Sequence, residues 1–279
     1  MTRMSSTFSP QPAAQPRSLL RPYAGAGLFI TGTSTDVGKT VTTAALAAAL
    51  HKLGARVGVC KPVASGCARR ESQSPDQNDH YDSSDALLLA RAAGYDVADE
   101  MVMKYISPIR FGPAASPHIA AQMERRQPDY HRISEAINFW QENCDILLVE
   151  GAGGWHVPLD QHDFMISDLA TLLRLPVLVV TTPLLGTLNH TMLTVHAIQQ
   201  RSLAVAGLVI NKVPPEPSRD FVMQNNLMEL PRLCGVPTRA LLPLHHGELT
   251  VGLPEAFIDA MRPFAHDLLA RAQQSDNSL

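Results

Sequence analysis

Residues Gly32–Thr40 contain glycines, a lysine and a threonine in the spacing of a loop that binds nucleotide phosphates. The segment Gly38-Lys39-Thr40 ends a G-x-x-x-x-G-K-T motif, in which backbone N–H groups hold the phosphates, the lysine reaches the outer ones and the threonine hydroxyl binds Mg²⁺. The first glycine is displaced, because Thr33 stands at its position and Gly32 lies one residue earlier. The motif predicts that Val37 and the three residues after it bind a nucleoside triphosphate.

Two further ionisable residues follow apolar runs that are typical of buried strands. Glu150 follows Ile146-Leu147-Leu148-Val149, where phosphate-loop enzymes place an acid that holds Mg²⁺; the alternative is an acid that only ends a strand. Lys61 follows a run that ends at Cys60, and a second lysine suits phosphoryl transfer to an acceptor that is itself anionic. A solvated surface lysine remains the alternative for Lys61.

The segment Asn211-Lys212-Val213-Pro214 is similar to the N-K-x-D element that recognises guanine, but a proline replaces the aspartate. Guanine selectivity is therefore not supported, and ATP is the expected nucleotide, with the Asn211 amide on the purine edge. His245 and His246 are expected on the solvated surface. Trp155 is expected either in a pocket wall or in the core.

The elements that must position these residues alternate between apolar runs and helical stretches from Gly27 onward. This alternation predicts one α/β domain, a P-loop NTPase fold with a mostly parallel, doubly wound sheet and helices on both faces. The predicted strands are Leu28–Thr31, Arg56–Cys60, Asp145–Val149, Val177–Thr181, Val205–Ile210 and Thr238–Leu242. The predicted helices are Thr40–Leu53, Ser83–Ala93, Ser116–Met123, Tyr130–Asn143, Ile166–Leu173, Leu188–Gln200, Asp220–Cys234 and Pro254–Ala272. Ligands of such sheets bind beyond the carboxyl ends of the strands, so the polar strand exits should share one site.

Composition excludes several classes of function. The 279 residues carry a net charge of −3, which is not the basic footprint of a nucleic-acid-binding protein. No apolar run reaches the roughly 18 residues that span a bilayer. The four cysteines lack C-x-x-C spacing, which favours a reducing cytoplasm over a zinc site or a disulfide framework. Residues 1–26 are expected to form a disordered leader, 27–273 the P-loop domain and 274–279 a flexible tail, with a surface loop over 67–83.

Several motifs occur in an order that closely resembles one enzyme family. They are Thr31–Thr40, Lys61-Pro62-Val63-Ala64-Ser65-Gly66, Ser84-Asp85-Ala86, Ser116-Pro117-His118, Val149–Trp155, Gly186–His190 and Gly207–Asn211. The family is dethiobiotin synthetase, and the resemblance runs from Gly27 to about Pro243, including the displaced glycine of the phosphate loop. K-P-V-A-S-G together with V-E-G-A-G-G-W is its most specific part.

The resemblance implies a ligase of biotin biosynthesis that uses ATP and Mg²⁺ to join CO₂ to 7,8-diaminononanoate as a cyclic urea. It implies catalytic roles for Lys39, Lys61, Thr35 and Asp36. It implies contacts to the diamine from Ser65, Gly153, Leu185, Gly186 and Asn189, and to ATP from Val37, Gly38, Lys39, Thr40, Asn211 and Pro243. Thr40, Asp85 and Glu150 would surround Mg²⁺. Family members are homodimers whose substrate pocket is completed by the partner, here through 185–189.

Asp36 stands where the family often has glutamate, which keeps the charge and shortens its reach. The alternative function is another P-loop amidoligase or a switch-type ATPase of the same fold. Such switches usually carry an additional lysine early in the loop, and Thr33-Ser34-Thr35 has none.

Overall fold

The computed structural model describes residues 16–72, 74–214, 221–247, 249 and 252–276. The strands are β1 (Ala26–Gly32), β2 (Val57–Cys60), β3 (Val63–Ala64), β4 (Ala68–Arg69), β5 (Tyr81–Asp82), β6 (Ile109–Arg110), β7 (Ile146–Gly154), β8 (Val177–Thr181), β9 (Val205–Val213) and β10 (Thr238–Pro243). The helices are α1 (Pro16–Leu19), α2 (Lys39–Lys52), α3 (Ser84–Ala92), α4 (Glu100–Ile106), α5 (Pro117–Met123), α6 (Tyr130–Asn143), α7 (Ile166–Leu173), α8 (Thr187–Gln200), α9 (Phe221–Cys234) and α10 (Glu255–Asp276).

Six strands form one parallel sheet in the order β10-β9-β8-β1-β7-β2. The chain leaves β1 in one direction to reach β2, and from β7 it runs in the other direction through β8, β9 and β10. Because such crossovers are right-handed, reversing the direction places the connecting helices on opposite faces. The predicted doubly wound sheet is confirmed, and its six strands are the six predicted from the sequence.

The core follows from the composition of the central strands. The side chains of Leu28, Phe29 and Ile30 in β1 are buried, as are those of Ile146–Val149 in β7. Continuous apolar runs of this kind suit strands covered on both faces. In α2, small alanines between Ala44 and Ala49 are buried all around the helix, because α3 and α10 pack against it. This packing fixes the start of α2 beneath the loop that follows β1.

The first described residues belong to the folded domain. Of the leader expected over 1–26, residues 1–15 lie outside the described residues, whereas Pro16–Leu19 form α1 and β1 begins at Ala26. The Tyr23 ring is buried and its backbone N–H donates to Leu173 O at 2.9 Å. At the other end α10 continues to Asp276, three residues into the expected tail, and 277–279 lie outside the described residues.

The segment expected to be a surface loop over 67–83 is partly built into the domain. It contains the antiparallel pair β4–β5 and a 3-10 helix at Gln77–His80. Asn78 is buried, and its Oδ1 accepts hydrogen bonds from Arg110 N and Arg126 Nη2, both at 2.9 Å. The sequence also did not predict α4 or the short β3–β6 pair. Among the described residues, no helix has the length and apolar character needed to cross a bilayer.

Candidate active site

The loop between β1 and α2 is shaped for close approach of a ligand to its backbone. Gly32 permits the turn, because a Cβ there would lie 2.7 Å from Val37 Cγ2. Gly38 has φ of 95° and caps α2, and a Cβ on it would lie 1.8 Å from Asn211 Nδ2. No side chain caps the first turn of α2, so its N–H groups are left for an anion.

Lys39 is the first residue of α2, and its side chain turns back over the loop. Its Nζ donates to Ser34 O at 3.1 Å, and the residue is buried. Burial lowers the pKa of Lys39, and the carboxylate of Glu150 opposes that shift. The ammonium group therefore lies where the outer phosphates of a nucleotide in this loop would be.

A second cluster joins the ends of three elements. Lys61, just after β2, donates to Glu150 Oε1 at 2.9 Å and forms an ion pair with Asp85 in the first turn of α3. Thr40 Oγ1 donates to the same Glu150 oxygen at 2.8 Å. Burial alone lowers the pKa of Lys61, but the carboxylates of Glu150 and Asp85 outweigh burial and raise it.

Glu150 is fully buried, and its second oxygen, Oε2, has no hydrogen-bond partner in the described structure. A buried carboxylate oxygen without a partner is unfavourable in the absence of a cation or a donor. With the Thr40 hydroxyl beside it, the group offers the hard oxygen ligands that suit Mg²⁺. No group of three or more His, Cys, Asp or Glu side chains in the described residues could hold a metal ion.

A cavity of about 450 Å³ opens beside these clusters at the carboxyl edge of the sheet. Most residues predicted from the sequence to form the site lie along it: Thr35, Asp36, Gly38, Lys39, Thr40, Lys61, Ser65, Asp85, Gly153, Asn211 and Pro243. Glu150 lies behind the cavity and reaches it through Thr40 and Lys61. Val37 contributes its carbonyl, which accepts a hydrogen bond from Asn211 Nδ2 at 3.0 Å.

One end of the cavity contains residues that sequence reasoning did not assign to a site. His245 and Phe257 both line it, with their rings edge to face at 6.1 Å between centroids. His245 is exposed, as expected, but it also faces the cavity. Phe257 lies in the first turns of α10, and no motif marked it. Trp155 lies in the core, where it packs edge-on against Phe29 at 6.5 Å.

Three predicted substrate residues lie outside this cavity. Leu185, Gly186 and Asn189 surround the start of α8, and none of them lines the cavity of the single chain. Leu185 is 89% exposed, and Leu184 and Leu193 are also large exposed apolar side chains. An exposed apolar group of this kind is typical of an interaction surface.

Comparison with known proteins gives one consistent result. Residues 26–244 match the family model described as AAA domain. The ATP-dependent dethiobiotin synthetase BioD of Bacillus subtilis strain 168 is 36% identical over 220 residues, which are 78% of this chain and 87% of the relative. The enzyme of the same name from Mycobacteroides abscessus is 41% identical over 216 residues, 77% of this chain and 86% of the relative.

One solved structure extends the fold comparison. Cobyrinic acid a,c-diamide synthase from Mycobacterium smegmatis, solved with bound ADP and magnesium, superposes with a TM-score of 0.50. The match covers 90% of this chain and 96% of that one, at 15% identity. At this identity the likeness is one of fold alone.

Proposed function

The chain belongs to the ATP-dependent dethiobiotin synthetase family, and from this premise we propose that it joins CO₂ to 7,8-diaminononanoate as a cyclic urea with cleavage of ATP to ADP and phosphate. The observation that carries the proposal is that Lys39 and Lys61, which follow two separate strands, line one cavity, with Glu150 of β7 bonded to Lys61 behind it. Two buried ammonium groups in one site suit two anions, a triphosphate and a carbamate.

The chemistry explains why the site needs two lysine ammonium groups. CO₂ adds to one neutral amine of the diamine, and the nitrogen loses a proton to solvent to give a carbamate anion. A carbamate oxygen then attacks the γ-phosphorus of ATP as the bond to the β-phosphate oxygen breaks and ADP leaves. The second amine then attacks the carbamoyl carbon, phosphate leaves, and the amine proton passes to the released phosphate. In this scheme Lys39 binds the outer phosphates, and Lys61 compensates the charge of the carbamate.

Residues on the rim of the cavity position the diamine. Thr35 and Asp36 extend from the phosphate loop, and Ser65 lies in the segment after β3. Gly153 lines the cavity at φ of 63°, and glycine is required there because a Cβ would lie 2.8 Å from Val157 Cγ2. Asp36 binds an amine of the substrate by charge, and Ser65 adds a hydroxyl toward the carbamate.

Mg²⁺ fits the oxygens that the site provides. Thr40, Glu150 and Asp85 would hold it, with the unpartnered Glu150 Oε2 as one ligand and phosphate oxygens completing the set. The bound ion neutralises charge on the phosphates. Lys61 pairs with both carboxylates in this structure. With an ion held by those carboxylates, its ammonium group would be free to compensate the carbamate.

The far end of the cavity suits a purine. Asn211 uses its Nδ2 to hold the Val37 carbonyl, which leaves its Oδ1 to accept from the exocyclic amine of adenine. Pro243, His245 and Phe257 provide apolar and aromatic faces for the base.

We also propose that the active form is a homodimer. The exposed leucines Leu184, Leu185 and Leu193 and the position of Asn189 outside the chain's own cavity support this proposal. In such a dimer the start of α8 contributes Leu185, Gly186 and Asn189 to the partner's site.

Product formation tests the reaction. The protein is incubated with ATP, Mg²⁺, ¹³C-bicarbonate and the diamine, and dethiobiotin with one ¹³C is measured by mass spectrometry alongside ADP. Lys39→Ala should abolish both products, whereas Lys52→Ala, at the exposed far end of the same helix, should retain them. ADP release that does not depend on the diamine would instead favour a switch-type ATPase, and release that needs a different acid would favour another amidoligase.

Subunit mixing tests the shared site. Lys39→Ala and Asn189→Ala chains should each be inactive alone, because each damages one half of every site. Mixed dimers contain one site in which both halves are native, so a refolded equimolar mixture should regain about a quarter of wild-type activity. A mixture that stays inactive, or a monomer by light scattering, would rule out the shared site.

A further inference from the structure

Three buried threonines and the half-buried Thr33 form a network of hydroxyl hydrogen bonds beside the phosphate loop. Thr181, the last residue of β8, is its centre: its Oγ1 lies 2.8 Å from Thr187 Oγ1 and 2.9 Å from Thr191 Oγ1. Thr33 Oγ1 donates to Thr181 Oγ1 at 3.3 Å, and Thr187 and Thr191 are themselves 3.3 Å apart. Each hydroxyl thus has its partners within the network.

The network connects two parts of the proposed site that are far apart in sequence. Thr33 belongs to the phosphate loop and stands where the usual motif has glycine. Its backbone N–H donates to Val180 O at 3.0 Å, so the loop is tied to β8 by both main chain and side chain. Thr187 and Thr191 lie in the first two turns of α8, which begins directly after Gly186.

Hydrophobic packing does not explain why these residues carry hydroxyl groups. Thr181, Thr187 and Thr191 are almost completely buried, and valine has nearly the same shape without a polar atom to desolvate. Thr194, one turn further along α8, shows the ordinary use of such a residue, because its hydroxyl donates to His190 O of its own helix at 2.8 Å. In the network the hydroxyls instead form hydrogen bonds between elements, from Thr33 in the loop to Thr181 in β8 and from Thr181 to α8.

We propose that Thr181 and the threonines around it are positioning residues that hold the phosphate loop and the start of α8 as one rigid unit. Only the predicted effect on the reaction rate rests on the proposed function. In the proposed dimer the loop holds the γ-phosphate of its own site and the start of α8 holds the diamine of the partner's site, so loosening the two from each other displaces reacting groups in both sites. Small displacements of reacting groups lower the rate of the chemical step more than they lower nucleotide affinity.

The kinetic test uses Thr181→Val with Thr194→Val as the matched control. Thr181→Val should lower kcat at saturating substrates by at least about 5-fold, the factor for one neutral hydrogen bond, while ADP affinity changes by less than about 2-fold. Thr181→Ser, which keeps the hydroxyl, should restore kcat, and Thr194→Val should stay within about 2-fold of wild type throughout. If Thr181→Val does not fold, Thr33→Val replaces it in the test, because this variant removes only the hydrogen bond from the partly exposed loop to Thr181.

Amide hydrogen exchange without ligands tests the coupling independently of the reaction. In Thr181→Val, exchange should accelerate together in the phosphate loop and the first turns of α8, whereas Thr194→Val should affect α8 alone. Equal kinetics and exchange in the two valine variants, or a loss that Thr181→Ser fails to restore, would overturn the inference. If the wild-type protein made no dethiobiotin but showed the coupled exchange, the proposed reaction would be wrong and the positioning role would stand.

Discussion

Replacing Lys61 by methionine removes a charge and keeps the unbranched stem. Lys61 is 7% exposed and Glu150 is fully buried, so the substitution leaves a carboxylate in the interior without its cation. Breaking a buried ion pair by deleting one partner costs about 3–5 kcal/mol. Asp85 has a 40% exposed side chain and regains water, so we expect the lower end, about 3 kcal/mol.

Thermal unfolding of the nucleotide-free protein measures this loss. At about 2–4 °C per kcal/mol for a chain of this size, Tm should fall by roughly 6–12 °C. Adding Mg²⁺ with ADP should restore part of the loss, because a cation again faces Glu150. In the dethiobiotin assay kcat should fall by about 100- to 1,000-fold, as for other single groups that stabilise a developing charge.

Lys52→Met provides the matched control. Lys52 also pairs with a carboxylate, Glu255, at 2.7 Å, but both side chains are about half exposed. An exposed pair of this kind contributes little to stability, so Tm should change by less than about 4 °C and kcat should not change. Two results together would refute the electrostatic reasoning: a Tm of Lys61→Met within about 2 °C of that of Lys52→Met, and an unchanged kcat of Lys61→Met.

Three further predictions follow from other contacts. Gly38→Ala should weaken ADP binding by at least about 10-fold in calorimetry, because the new methyl would displace Asn211 and the residue would keep a left-handed φ. Burial raises the pKa of Asp76, but its hydrogen bonds and the ion pair with Arg132 lower it overall. Asp76 therefore contributes its full stabilisation above the usual aspartate pKa, and this stabilisation is lost as pH falls through the lowered pKa of the folded protein. The urea midpoint of Asp76→Asn should accordingly fall less than that of the wild type as the pH is lowered. Leu185→Asp should yield monomers in light scattering, since the side chain is exposed in the single chain and a charge there would have to be buried in the proposed dimer.

The parts of the fold and site that could be predicted are those encoded locally. The strand, loop and helix around Lys39 lie within one continuous segment, and parallel strands place their exits along one edge, which brings Lys61 to the cavity and within hydrogen-bond distance of Glu150. The six sheet strands were also predicted from local sequence, because their apolar runs indicate strands that are buried on both faces.

The parts that could not be predicted depend on contacts distant in sequence. His245 and Phe257 reach the cavity because α10 packs against α2, and no local pattern specifies that contact. The hydrogen bond from Thr33 to Thr181 joins residues 148 positions apart. The order of residues 16–26 depends on their docking, since a proline-rich composition gives no sign that Tyr23 will be buried.

The packing of α10 against α2 also bears on how the protein is made. The base-binding end of the cavity needs Phe257 from α10, while the phosphate loop lies near the beginning of the domain. During synthesis the loop, β1 and α2 leave the ribosome long before α10 does, and the nucleotide site is incomplete until α10 docks. Nucleotide is therefore expected to stabilise the chain only once α10 has docked against α2, because Phe257 is absent from the cavity wall before that step.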